Sequence, residues 1–244
     1  MIRRAADIPA GMEAKKQVLD AVCNVYSEWV HGLPVACRKG CAACCTRSVT
    51  MTSLEGEVIL DFVGRAGMGK WLREMLIQAG QGHIKAALTT NQFAAACLNH
   101  RDVDSDVPGG WDLRPCVFLA ENTCSIYAVR PFGCRSFASL VQCNAENTAV
   151  MTPVHLSINT VFTQIVEHIS SDGGCWSTMT DILLDLSAGR NSAWEAHLLP
   201  ARPVPGFLLE AGEARVVKGL LQQLREQFPE KAVFGDLIDI FLPI

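Results

Sequence analysis

Cys37, Cys41, Cys44 and Cys45 put four thiols within one short stretch, and Cys116, Cys124, Cys134 and Cys143 add four more downstream. Thiolates are soft, charged donors, and four of them close a tetrahedral zinc site or hold an iron–sulfur cluster. Gathered without a metal they repel one another, so such a set implies a metal centre. On a helix Cys37, Cys41 and Cys44 would fall within roughly 60° of one another and face one centre. On an extended segment Cys44 and Cys45 would point to opposite sides and serve different metals, or only one would ligate. Arg38, Lys39, Arg47, Arg130 and Arg135 lie close by in sequence. Cations there offset the charge of a thiolate centre and donate hydrogen bonds to sulfur. Arg130 and Arg135 are the candidate cofactor-binding pair.

Cys23, Cys97 and Cys175 stand singly. They are expected to be small buried hydrophobes, the common fate of a free cysteine. The six histidines are scattered, with His31 and His100 nearest the cysteines. No Ser-His-Asp or Cys-His signature is evident, and Gly64, Gly67 and Gly69 lack the Lys-Ser ending of a phosphate-binding loop. The spacing of Cys37, Cys41 and Cys44 is also that of radical S-adenosylmethionine enzymes. Ala43 stands where those usually carry an aromatic residue, and the strand–helix repeats they need are missing.

The 244 residues, 49 % hydrophobic and 19 % charged, can bury a substantial core. Net charge is −4 and the basic residues form no stripe, so nucleic acid is not an expected partner. No apolar run is long enough to span a bilayer. Met1-Ile2-Arg3-Arg4 is not followed by the apolar stretch of a secretion signal, so a cytoplasmic protein is expected. Eleven cysteines in a reducing compartment point to metal or redox chemistry instead of disulfides.

Val18, Val22, Tyr26 and Trp29 mark one face of a helix from Met12 to Val30, ended by His31-Gly32 and Pro34. Thr52 and Glu55 form a capping box that opens a helix through Ile59, Leu60 and Val63, broken by the three glycines. Further helices are expected over Trp71 to Ala79 and His83 to about Leu98. A polar loop follows from Arg101 to Pro115, with Pro108-Gly109-Gly110 in it. Cys116 to Leu119 and Cys124 to Tyr127 flank Ala120-Glu121-Asn122-Thr123 as a short hairpin, the one sheet expected. Pro131 fixes the chain before Cys134 and could start a helix there. Ile158, Val161, Phe162, Ile165, Val166 and Ile169 give a strong amphipathic helix. Thr180 to Leu186 is a short helix, and Arg202-Pro-Val-Pro-Gly206 is a stiff connection. Ala214, Val217, Leu220, Leu221, Leu224 and Phe228 line a longer helix stopped by Pro229. The expected fold is mainly α: an irregular cysteine-rich metal-binding centre with at most a short β-hairpin over residues 1–150, and a C-terminal helical annex over 151–244.

The stretch Cys37-Arg-Lys-Gly-Cys41-Ala-Ala-Cys44-Cys45, then Cys116-Val-Phe-Leu119, Cys124-Ser-Ile-Tyr127-Ala-Val-Arg130-Pro131-Phe-Gly-Cys134-Arg135 and Cys143-Asn144, resembles the YkgJ-type cysteine-cluster family of zinc- or iron-chelating domains. The resemblance covers about residues 35 to 147 and includes an acidic residue at Glu55. It implies that the eight cysteines are the metal-binding set. A similar cysteine block occurs in flagellin lysine-N-methylases, where an iron–sulfur cluster is implied, although residues 151–244 match nothing in those longer proteins. The expected function is a metal-binding protein holding an iron–sulfur cluster or zinc through up to eight cysteines, in a structural or metal-handling role. The alternative is an iron–sulfur enzyme, redox-active or protein-modifying, with Glu55, Tyr127 and Arg130 beside the cluster. Eight cysteines exceed the need of a single zinc and favour iron–sulfur, though two zinc ions would also use all eight.

Overall fold

The computed structural model describes residues 11–38, 40–79, 87–103, 112–143, 149–189 and 197–228. Lys39, His83, Asn144, Pro229, the Pro108-Gly109-Gly110 stretch and the first ten residues lie outside these. The class is mainly helical, and the elements follow the apolar periodicities closely. Helix α1 (Met12–His31) is followed by strand β1 (Thr50–Thr52) and helices α2 (Ser53–Arg65), α3 (Gly69–Ala79) and α4 (Thr90–Leu98). Strands β2 (Leu119–Ala120) and β3 (Thr123–Cys124) come next, then a 3-10 turn (Tyr127–Val129) and the short helix α5 (Phe132–Ser136). The last third holds α6 (Pro153–Ser170), β4 (Cys175–Thr178), α7 (Met179–Ser187), β5 (Leu199–Pro200) and α8 (Ala211–Gln227).

Two apolar cores result. In the first, α1 packs on α6 and α8 through Val18, Val22, Tyr26, Ile158, Phe162, Ile165, Val217 and Leu221. In the second, α2, α3 and α7 enclose Met51, Ile59, Leu72, Leu76, Ile182 and Leu183. The capping box is present as expected: Glu55 N donates to Thr52 Oγ1, and Thr52 N donates to Glu55 Oε2 at 2.7 Å.

Three local expectations change. The hairpin exists with the left-handed turn residues Glu121 and Asn122 at φ 48° and 59°, the geometry of a two-residue turn. It is joined by a second, three-stranded antiparallel sheet in the order β1-β4-β5. That sheet pairs Thr50 with Thr178 and Thr52 with Trp176, so backbone from before and after residue 151 shares one sheet. Helix α4 begins only at Thr90, because Thr89 caps it and Gln92 closes a second capping box. Gly69 opens a helix instead of ending one; the break falls at Gly67, at φ 67°.

His168, largely buried in α6, accepts a hydrogen bond from Val204 N at 3.3 Å, and burial pushes its imidazole down to about 4. The folded protein therefore keeps it neutral while the unfolded chain takes up a proton first. The stability due to this group is full above pH about 6.5 and is lost as pH falls toward 4, by about 3 kcal/mol. Replacing His168 with Gln is expected to make the acid limb of a denaturation-versus-pH curve shallower over that window. An unchanged limb would rule the group out.

Candidate metal centre

The first cysteine block is an irregular loop, so the helical-face geometry does not apply to it. Gly40 takes φ 88°, which glycine alone adopts without strain, and the loop is shaped by Cys41 N donating to Arg38 O and Cys45 N to Ala42 O. Its two ends are tied to different walls. At one end Ala36 N donates to Ser139 O at 2.7 Å, and Ser139 N donates to Cys37 Sγ at 3.3 Å. At the other, Cys116 N donates to Cys45 O at 2.9 Å and Thr46 pairs with Pro115 in an antiparallel bridge.

The remaining thiols are placed by apolar anchors. Phe118 and Ile126, each 1 % exposed, sink the β2–β3 hairpin into the second core, which positions Cys116 and Cys124 on its two arms. Phe132 sinks α5 into the first core, edge-on to Tyr26 with ring centroids 4.8 Å apart, and Cys134 rides on that helix. Pro131 stands just before α5 without a side-chain cap bond, and Glu55 Oε1 accepts from Phe132 N at 2.6 Å in its place. The cysteine region therefore lies where the two cores meet.

All eleven cysteines are free thiols. Cys37, Cys41, Cys44, Cys45, Cys116, Cys124 and Cys134 line one cavity of about 650 Å³, together with Arg38, Tyr127, Arg130, Arg135 and His31. Cys143 is not in this lining; it is an electrostatic neighbour of Cys37. His100 is not in it either. Among the described residues no three His, Cys, Asp or Glu side chains are gathered closely enough to hold one ion as they stand.

The chemistry of the donor set suits a thiolate-bound metal. Backbone amides reach four of the sulfurs: Ser139 N to Cys37, the amide of Cys44 to its own thiol, Phe118 N to Cys116 and Ile126 N to Cys124. Such donors favour thiolate over thiol. Burial acts the other way and pushes the thiols of Cys37, Cys116, Cys124 and Cys134 up. The neighbouring thiolates of Cys41, Cys44 and Cys143 add to this for Cys37, and those of Cys116, Cys124 and Cys44 for Cys134. Cys44 shares a hydrogen bond with Cys45, which pushes Cys44 up and holds Cys45 below the usual thiol range. Without a cation, most of these groups stay protonated.

Arg130 supplies one such cation. It is an electrostatic neighbour of Cys44, Cys124 and Cys134, and its guanidinium lies 4.0 Å from the centroid of the Tyr127 ring. Its Nε is shielded from solvent and has no hydrogen-bond acceptor among the described residues. Arg135 also lines the cavity but spends its guanidinium on Arg130 O and Ala128 O, bracing the turn that leads into α5. Arg47 is a staple, bonding Ala79 O and Pro115 O.

Glu55, expected beside the cluster, is not part of the cavity lining. Both its oxygens are engaged by Thr52 and Phe132, so it is a positioning residue for α5. Cys23 is buried in the first core, where desolvation pushes its thiol to about 12. Cys175 starts β4, its amide bonded to Ser53 Oγ. Sequence reasoning missed Ser139, 1 % exposed, whose hydroxyl also bonds Val141 O and receives Val150 N. Nothing in its sequence surroundings marks a serine as the hub of a loop.

No helix among the described residues is long and apolar enough to cross a membrane. No curated protein and no solved structure matches the chain. Residues 36–154 match the model of one family, CxxCxxCC, described as a putative zinc- or iron-chelating domain. The first spacer here, Arg38-Lys39-Gly40, is one residue longer than in the motif that names the family. Residues 36–154, which hold all eight clustered cysteines, are therefore a CxxCxxCC-type domain.

Proposed function

We propose that this protein holds its metal through all eight clustered cysteines, as iron–sulfur in preference to zinc, in a structural or metal-handling role. The observation that carries the reading is the convergence of seven of those thiols, from three separate segments, on one cavity that Arg130 also lines, its buried Nε without an acceptor among the described residues. A thiolate or an inorganic sulfide is an acceptor for that N–H, and Arg130 and Arg135 are the residues proposed to border the bound centre. When bound, the metal would draw the buried thiols into the thiolate form. The reading places the protein in a reducing compartment such as the cytoplasm, with residues 1–150 supplying the donors and 151–244 the helical support. Nucleic acid is not proposed as a partner.

A second reading, an iron–sulfur enzyme, is favoured by one feature. The cavity of about 650 Å³ has room beyond the thiols, with Tyr127 and Arg130 on its wall. The test is anaerobic purification followed by metal analysis, acid-labile sulfide assay and a visible absorption spectrum on one sample. Iron with sulfide is the expected result. Colourless protein with stoichiometric zinc would replace the iron–sulfur preference with a zinc site. Folded protein with no metal, even after reconstitution, would overturn the reading.

A further inference from the structure

The tethers of the first cysteine loop divide it. Its start is bonded to Ser139, on the segment that leads to Cys143. Its end is bonded to Pro115 and Cys116, beside the hairpin that carries Cys124. Exposure divides it the same way: Cys37, Cys41 and Cys44 are exposed, whereas Cys45, Cys116, Cys124 and Cys134 are all half-buried. The dividing line therefore falls between Cys44 and Cys45, two adjacent residues whose side chains share a hydrogen bond.

We propose that the eight cysteines make two four-thiolate centres: an inner one of Cys45, Cys116, Cys124 and Cys134, and an outer one of Cys37, Cys41, Cys44 and Cys143. The outer centre is the exchangeable one. This rests on the metal-binding reading and adds to it a count, a ligand partition and a division of labour.

Neighbour relations agree with the partition. Cys37 is influenced by Cys41, Cys44 and Cys143, and Cys45 by Cys134, Cys116 and Cys124. Cys44 crosses it, as a neighbour of both Cys45 and Cys134. Thiolates exchange on a metal by substitution, one sulfur replacing another with no change of oxidation state, and the rate depends on access for the incoming ligand. Cys37, Cys41 and Cys44 are exposed on a loop of irregular backbone, and Cys143, half-buried, joins them from the segment after Ser139. Of the inner ones, Cys116 and Cys124 are held by a hairpin anchored through Phe118 and Ile126, Cys134 by α5 anchored through Phe132, and Cys45 by Cys116 N on its carbonyl. An inner ion is thus retained by rigid walls, and an outer ion sits where an acceptor thiol can reach it.

Anaerobic titration of the full-length, reduced chain with Co²⁺, read by thiolate-to-cobalt charge transfer, tests this. Saturation is expected at two equivalents, one removed by EDTA about tenfold or more faster than the other. Cys41→Ser and Cys143→Ser should each delete the fast equivalent and keep the slow one. Cys124→Ser should delete the slow one, and Cys175→Ser should keep both. Helical circular dichroism checks that each variant is folded. Binding that saturates at one equivalent, or folded outer-group variants that lose both equivalents together, would overturn the partition while leaving a metal-binding protein. No tetrathiolate signal at any Co²⁺ concentration would overturn the two-centre partition, whereas the metal-binding reading falls only if reconstituted, folded protein also holds no metal.

Discussion

Replacing Glu55 with alanine is expected to lower stability by about 3 kcal/mol or more and to strip metal from the site. Its carboxylate is 5 % exposed and accepts from Thr52 N, Thr52 Oγ1 and Phe132 N, so removal strands three buried donors. Each stranded donor costs about 1–3 kcal/mol. Thr52 caps α2 and Phe132 begins α5, so the same change frees the helix that presents Cys134. Glu55→Gln keeps one good acceptor and should fall between parent and alanine. Denaturant titration gives the stability, and metal content after dialysis gives the effect on the centre. Stability within about 0.5 kcal/mol of the parent, with full metal, would show that Glu55 does not position α5.

A substitution far along the chain is expected to act nearly as strongly. A β-carbon on Gly174 would stand 2.3 Å from Ser170 O, a backbone atom that cannot move without unwinding the end of α6. Gly174 leads into β4, and β4 pairs with β1, whose last residue is Thr52. Gly174→Ala should therefore cost several kcal/mol, on the order of 3. It should also reduce metal retention, because the displaced strand pulls on Thr52 and hence on Glu55. The comparison is with Gly219→Ala on α8, where a β-carbon meets nothing within 4 Å. Equal metal retention in the two variants would mean that the helical support works independently of the centre.

The long helices are legible in the sequence because each buries one face. Val18, Val22 and Tyr26 on α1 and Ile158 through Ile169 on α6 recur at helical spacing and are the residues found buried. Cap chemistry is legible for the same local reason, as Thr52 and Glu55 show. The β1-β4-β5 sheet is not. Its strands have two to four residues, too few to display alternation, and Thr50 meets Thr178 only through tertiary packing. The cysteines announce their chemistry through type and spacing, but thiols carry no periodic apolar signal from which the backbone of residues 37–45 can be read. Glu55 illustrates the limit. Its sequence position suggests a carboxylate near the cluster, and only the packed structure shows that its hydrogen bonds are spent on a neighbouring helix.

Tyr26 and Tyr127 are the chain's two tyrosines. Tyr26, 1 % exposed, is wedged among Phe132, Phe162 and Trp29, while Tyr127, 51 % exposed, lies against Arg130 on the cavity wall. One phenol ring thus senses the interior of the helical core and the other senses whatever arrives at the thiols. Fluorine-labelled tyrosine would give two NMR signals whose separate movements distinguish a change of fold from an event at the site, with no label added elsewhere.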